Sequence, residues 1–545
     1  MKRILSQELS ALVSVTDRLG RSLPSPLPKQ PAKRRLVGLF YFLWLGEHGR
    51  HAPHDIAKII AADPMAGYHP HSALWGDVGT YHHWGEPLFG YYYSDDEWVM
   101  RRHIKLFLAA GIDFLFLDVT NAVTYDRNTA LLLSILKEYR ADGFPVPKIL
   151  FYTNTASGQT VHHLYERYFK SEQHSPLWLF LDKKPVIIAR SEECTEEELL
   201  FFDIRPPQWP NEPAKEGGWP WMDFDRPQRL FRDPTSELCV MNASVAQHPQ
   251  LRFGDSVLYG EGGNRGRSFH HGASDPAPDA LMHGYNLAEQ IDRALTADPD
   301  VLLLTGWNEW IAGRWNGTEE RPIMFVDTAS PEYSRDIEMM RGGYGDLYYL
   351  QMVDAVRRFK GATPLPRPEV GDSIVLPGFT DGGMHRHAEG YGTVYHNVTP
   401  RNAIRRITVH FTAHRIRIRI ETAAPLSDDR SGVFLRTYLA TGDGIAFAVL
   451  PQDGRARLCP TKGLAPQKAI GSYLLSEGER EISFAIPYHV LKPTGDFIEI
   501  KVADAAGEFS CTDDFYDVGD TFPCGALLCR IPLPDEIVQR LGGMT

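Results

Sequence analysis

The sequence predicts an α/β protein: a (β/α)8 TIM-like barrel followed by a smaller all-β sandwich. Two patterns carry that expectation. From Val37 onward, short apolar runs alternate with longer helical stretches, as in a parallel sheet assembled from βαβ units. Beyond Pro364, Pro366 and Pro368 the period drops to two, in Ile407-Thr408-Val409-His410-Phe411 and Ile416-Arg417-Ile418-Arg419-Ile420, as antiparallel strands wet on one face require. At 545 residues the chain also exceeds what one hydrophobic core usually supports.

Taken in order, residues 1–35 read as a leader with a weak amphipathic helix and then Pro24, Pro26, Pro28 and Pro31. The barrel is expected over 36–362. Its first strand is Val37 to Phe42, and its second is Ile112 to Asp118, entered from a helix that Ser94 or Asp95 caps and Gly111 ends. Further strands are expected at Lys148 to Thr153, Pro185 to Ala189, Phe201 to Ile204, Leu238 to Met241, Ser256 to Tyr259 and Val301 to Thr305, which brings the count to the eight of a barrel. The gap from Met241 to Ser256 is short for a crossover helix, which keeps a doubly wound open sheet as the alternative. A helix from Tyr344 to Lys360 ends this unit, and the sandwich is expected over 370–540, with further strands at Val433 to Leu439, Glu481 to Ala485 and Phe497 to Val502.

Composition narrows the function. The chain carries 57 Lys and Arg against 69 Asp and Glu, a net charge of −12, with no basic run to follow a phosphate backbone, so nucleic acid is not an expected partner. No apolar stretch approaches the roughly 18 residues of a membrane span. Met1-Lys2-Arg3 leads into Gln7-Glu8 and Asp17-Arg18 and not into an apolar h-region, which predicts a cytoplasmic protein. The six cysteines form neither a disulfide framework nor a CxxC pair. Eleven Trp and 23 Tyr point elsewhere: several, including Tyr41, Trp44, Trp75, Tyr81 and Trp84, lie in loop-like segments rich in Gly, His and Asp. Flat rings with a polar edge suit sugars, which are apolar on one face and hydroxylated at the rim.

In a barrel the carboxyl ends of the strands converge on one pocket, so polar residues just after an apolar strand are the first catalytic candidates. Leu302-Leu303-Leu304-Thr305-Gly306 delivers Trp307-Asn308-Glu309-Trp310, and Glu309 is the leading carboxylate. Asn308 suits a hydrogen bond to a sugar hydroxyl, and Trp310 suits a subsite floor; the bland alternative is a helix cap. Glycosidic cleavage normally takes two carboxyl groups. Asp118, where Asp118-Val119-Thr120-Asn121 opens a loop, is the second candidate, with Asn121 beside it as a sugar contact. Glu261, in Gly260-Glu261-Gly262-Gly263, is the third. The loop His82-His83-Trp84-Gly85-Glu86-Pro87 offers His83, Trp84 and Glu86 as sugar contacts, alongside Tyr41 and Trp44. With His48, His51, His54, His69 and His71 nearby a metal must be weighed, but the spacing contains no HxH on a strand or HExxH on a helix, and no metal ligand is assigned.

Phe40-Tyr41-Phe42, Ala110-Gly111-Ile112-Asp113 and Gly306-Trp307-Asn308-Glu309-Trp310 together give the chain from about Val37 to Gly361 a resemblance to glycoside hydrolase family 71/99-like proteins, which include endo-α-mannosidases and α-1,3-glucanases. The resemblance implies a (β/α)8 barrel that hydrolyses α-linked glycans without a metal or organic cofactor. In the mannosidase branch the motif resembles Asn-Glu-Trp-x-Glu-Gly, with both glutamates functional. Here Glu309 matches the first and Ala312 replaces the second, so Asp118, Glu261 or Glu86 supplies the missing acid, or the chain binds sugar without cleaving it. Arg314 then faces an anionic sugar or a nearby acid. The expected function is a glycoside hydrolase acting through carboxylates on a carbohydrate substrate; the alternatives are a non-catalytic glycan-binding barrel and a metal-dependent hydrolase built on the His-rich loop.

Overall fold

The structure is a computed structural model that describes residues 3–5, 9–23, 35–249, 257–259, 264–326, 329–361, 365–441 and 444–542. Its central feature is an eight-stranded sheet in the spatial order Asp203–Arg205, Val186–Ile188, Lys148–Thr153, Phe114–Val119, Leu36–Tyr41, Val301–Thr305, Cys239–Ser244, Phe231–Arg232. All neighbours are parallel except the last pair. The long apolar runs form these strands because a sheet covered on both faces must bury successive side chains in both directions. Phe40, Phe116, Leu150, Tyr152, Ile188, Val240 and Leu303 cluster on one face. Leu39, Leu115, Leu117, Ile149, Phe151, Leu302 and Leu304 pack on the other, against helices that include Glu97–Ala110 and Leu347–Lys360.

The first face folds back on itself. Val186 and Ile188 from one edge and Phe231 and Val240 from the other enter the same cluster, with Trp219 between them. Backbone hydrogen bonds from Trp219 to Pro206 and from Gly217 to Arg232, with an Arg205–Asp233 ion pair, bring the edges together without a strand-to-strand ladder.

Two expected strands differ. Phe201 ends a short helix, Glu196–Phe201, because Thr195 and Glu198 form a reciprocal capping box, and the strand begins at Asp203. Of Ser256 to Tyr259, Ser256 lies outside the described residues and Val257–Tyr259 is a 3-10 turn. The eighth place is taken by the antiparallel Phe231–Arg232. The expected N-terminal amphipathic helix is, in the residues described, a single 3-10 turn at Leu9–Ala11 flanked by strands. Val13–Thr16 pairs with Leu528–Pro532, and Arg3–Leu5 pairs with Ser373–Pro377. The reason is visible in the side chains: Val13 and Val15 enter one apolar cluster and Leu12 the other, opposite faces at successive residues as a strand presents them. Pro24, Pro26, Pro28 and Pro31 lie outside the described residues.

After the Leu347–Lys360 helix the described chain supplies five strands of a six-stranded sheet and eight of a ten-stranded one, both completed by the N-terminal strands, and the two sheets place their apolar sides against one another. Ile407, Val409, Ile416, Ile418 and Ile420 meet Leu439, Ile498, Ile500 and Val502 in one cluster. Loops between these strands and the Arg386–Gly390 hairpin strand dock on the Glu97–Ala110 helix, which Asp96 caps one residue later than expected and left-handed Gly111 ends. Docking explains why that helix is buried while carrying charge. Lys105 pairs with Asp381 at 2.7 Å, Arg102 donates to the Gly519 carbonyl at 2.6 Å, and Arg386 pairs with Asp96 at 2.7 Å. Among the described residues no helix is long and apolar enough to cross a membrane.

Candidate active site

The Val301–Thr305 strand ends in the sheet centre, and the chain then turns at Gly306, where a Cβ would stand 3.1 Å from the Phe42 ring. The next four side chains separate by role. Trp307 is fully buried edge-on against Phe107 and His103. Asn308 is a backbone clamp: its Oδ1 accepts from the Phe42 amide at 3.0 Å and its Nδ2 donates to the Phe42 carbonyl at 3.1 Å. Trp310 stacks on Trp84 with centroids 4.2 Å apart and donates from Nε1 to Glu338. Glu309 keeps a side chain 10 % exposed, paired with Arg335.

Three charged side chains brace this turn from a segment that sequence reasoning did not single out. Asp336 accepts from the Glu309 amide at 2.5 Å and from Trp84 Nε1 at 3.1 Å; burial pushes its carboxyl up to about 7. Glu338 accepts from the Tyr92 hydroxyl at 2.7 Å, from His103 Nε2 at 2.8 Å and from Trp310. Arg335 lies over the Trp221 ring at 5.1 Å while it holds Glu309. The available signal was three charges, Arg335, Asp336 and Glu338, set against apolar Ile337, Met339 and Met340, a mixture that buries only when the charges find partners.

Asp118 belongs to the same edge. Phe114 and Phe116 point into the inner cluster, so Asp118, with the same strand parity, faces that side at the carboxyl end, where it accepts from the Thr120 amide at 3.0 Å. Around this mouth stand half-buried aromatic rings. Trp221 lies 6.2 Å from Phe40 and 5.5 Å from Trp209, whose Nε1 donates to Asn154 Oδ1 at 2.9 Å. Arg190 donates to the same oxygen at 3.0 Å. On the other side Trp44 packs against Phe42, His48 and Tyr81. Asn121 donates to the Tyr125 hydroxyl at 2.7 Å and is exposed. Neither Trp209, Trp221, Asn154 nor Arg190 was anticipated, since each comes from a segment with no motif.

Other expected sugar contacts are turned away. Tyr41 faces the helix layer, where its hydroxyl meets His103 Nδ1 at 3.0 Å, because it has the opposite parity to Phe40 and Phe42. Trp84 and Trp310 are each other's packing partners at zero exposure. Asn308 is buried by its clamp on Phe42. His83 is buried between Tyr91 and Tyr391, and Glu86 pairs with Lys58 and Arg341. Arg314 donates to the carbonyls of Gly76 and Pro70 and pins a loop. Glu261 lies outside the described residues. Ala312 packs with Ile56, Ile59, Trp75 and Phe325, so the position matching the second glutamate of the motif sits in an apolar cluster. Burial holds His82 down at about 3, and among the described residues no three His, Cys, Asp or Glu side chains converge as a metal ion would need.

No family model and no curated protein matches the chain. Solved structures do. Two are of the family 99 endo-alpha-mannosidase of Bacteroides thetaiotaomicron: one with bis-tris-propane, at 14 % identity and a TM-score of 0.34 over 61 % of this chain and 98 % of that one, and one without, at 15 % and 0.35 over 60 % and 98 %. Another is described as a glycoside hydrolase-like protein, at 11 % identity and a TM-score of 0.30 over 63 % of this chain and 98 % of that one.

Proposed function

We propose that the chain is a glycan-processing glycoside hydrolase, with Glu309 and Asp118 as its carboxyl pair. The observation that carries this reading is the setting of Glu309: a carboxylate at the carboxyl edge of the central parallel sheet, held by Arg335 beside the Trp221 ring, at a mouth that Asp118 shares. The edge contacts described above support reading the sheet as an irregular (β/α)8 barrel over 36–362, with a β-sandwich over 370–540. A guanidinium-held carboxylate suits the role of base, nucleophile or stabiliser of positive charge on the sugar carbon, which leaves proton donation to Asp118. Half-buried Trp44, Trp209 and Trp221 supply apolar faces for sugar rings, and Asn154, Arg190 and Asn121 supply polar contacts at the rim.

A second reading, glycan binding without cleavage, is favoured by one observation: Ala312 occupies apolar packing where the resembling motif carries an acid. One experiment separates the two. Wild type, Glu309→Gln and Asp118→Asn are assayed on a panel of α- and β-linked oligosaccharides. Hydrolysis predicts turnover by wild type and a fall of about 100-fold or more in each variant. Unchanged turnover in Glu309→Gln overturns its catalytic role, and binding by wild type without turnover selects the second reading.

A further inference from the structure

The strand that follows Glu309 carries an aromatic side chain for which the site above has no use. Ile311–Asn316 pairs antiparallel with Tyr81–His83, with Gly313 opposite Tyr81. Trp315, two residues beyond Gly313 and on the same side of the strand, is 45 % exposed, unusual for the largest apolar side chain. Gly313 is what lets the two rings approach: a Cβ there would stand 3.2 Å from Trp315 Nε1 and 3.7 Å from Tyr81 Cζ.

From Tyr81 the rings run back to the mouth. Tyr81 stacks face to face on His48 with centroids 4.6 Å apart and planes 10° apart, and both meet Trp44 edge-on, at 5.9 and 5.1 Å. His48 in turn lies edge-on to Tyr125 at 6.3 Å. Tyr125 accepts a hydrogen bond from Asn121 at 2.7 Å, and Asn121 stands three residues beyond Asp118, so this end of the row lies on the loop that Asp118 opens. The row therefore starts at the carboxyl edge and ends at an exposed indole. At about 3.3 Å per strand residue, Ile311 to Trp315 alone spans about 13 Å, more than one sugar ring covers.

We propose that Tyr81 and Trp315 form a remote binding platform for an oligosaccharide chain that reaches outward from the Glu309 and Asp118 edge, so that the substrate is an extended glycan gripped several units from the reacting bond. This rests on the glycan-processing reading of that edge. The chemistry matches: Trp44, His48 and Tyr81 are half-buried and Trp315 is exposed, and such rings recognise the apolar faces of successive sugars.

The test measures chain-length dependence. Calorimetric binding of linear α-linked gluco- and manno-oligosaccharides, from disaccharide to hexasaccharide, is compared in Glu309→Gln and in Glu309→Gln with Trp315→Ala or Trp315→Phe. Trp315→Ala is expected to weaken the hexasaccharide about tenfold and leave the disaccharide unchanged, with Trp315→Phe recovering much of the loss. In wild type, the hexasaccharide and not the disaccharide is expected to protect Trp315 from oxidation by N-bromosuccinimide, read by peptide mass spectrometry, which does not depend on any variant folding. Equal weakening at every length, or unprotected Trp315 under bound hexasaccharide, overturns the platform and leaves the proposed function standing. Failure of every oligosaccharide to bind overturns the platform, and the proposed function falls with it when the α- and β-linked panel above also shows neither turnover nor binding.

Discussion

Replacing Arg335 by Met tests the site through stability, independent of any substrate. The guanidinium is 2 % exposed and the Glu309 side chain 10 %, so bulk water screens the pair little. Removing one partner of such a pair leaves a buried carboxylate without that guanidinium, a change that typically costs about 3 to 5 kcal/mol. The lost contact with Trp221 adds about 1 kcal/mol. Glu309→Gln should cost less, because a neutral amide still accepts a hydrogen bond from Arg335. In the double variant Arg335→Met, Glu309→Gln no charge is stranded, so its cost should fall below the sum of the singles by about 2 kcal/mol. Urea unfolding followed by tryptophan fluorescence, with the slope held common across the four proteins, gives the coupling. An Arg335→Met cost under about 1 kcal/mol, or a coupling within about 0.5 kcal/mol of zero, would refute the claim that this ion pair is what holds Glu309.

Asn308→Ala should destabilise by about 2 to 4 kcal/mol in the same assay, because it strands the Phe42 amide and carbonyl that the side chain now satisfies, both buried. Activity should fall with it, since Phe42 leads into Trp44 at the mouth. His82 should make stability depend on pH in a fixed direction. Its imidazole takes a proton near 6.5 when unfolded and only at about 3 in the fold, so the unfolded state binds more protons between those values and stability falls as pH drops through that window, by at most about 1.4 kcal/mol per pH unit. Comparing denaturation at pH values between about 6 and 4 in wild type and His82→Asn should show a shallower slope in the variant, and equal slopes would show that His82 does not contribute.

The readings that held were those set by local pattern. Val301 to Thr305 is a continuous apolar run and becomes a fully buried strand, so the polar turn at Asn308 and Glu309 had to lie at its edge. The apolar run from Phe114 to Leu117 becomes a strand that carries Asp118 at its carboxyl end, and the period of two after residue 400 becomes paired sheets. The readings that failed involved side chains whose role depends on a distant partner. Trp84 and Trp310 look like sugar platforms in a Gly- and His-rich context, and only the folded chain makes them a stacked pair. Arg314 and Glu86 look available, and carbonyls and cations more than 25 residues away along the chain occupy them.

By itself, then, the sequence determined most of the central strands, which way their side chains alternate, and that a single carboxylate follows the Val301–Thr305 strand. These are consequences of strand period and of the need to bury apolar side chains, and they act over a few residues. The tertiary structure alone decided the company of that carboxylate: Arg335 on its oxygen, Asp336 on its amide, Trp221 beside it and Ala312 sealed in apolar packing. Such partners are chosen by which loops the sheet brings together. A buried charge takes the nearest counter-charge in space, and nothing in the local sequence records which one that is.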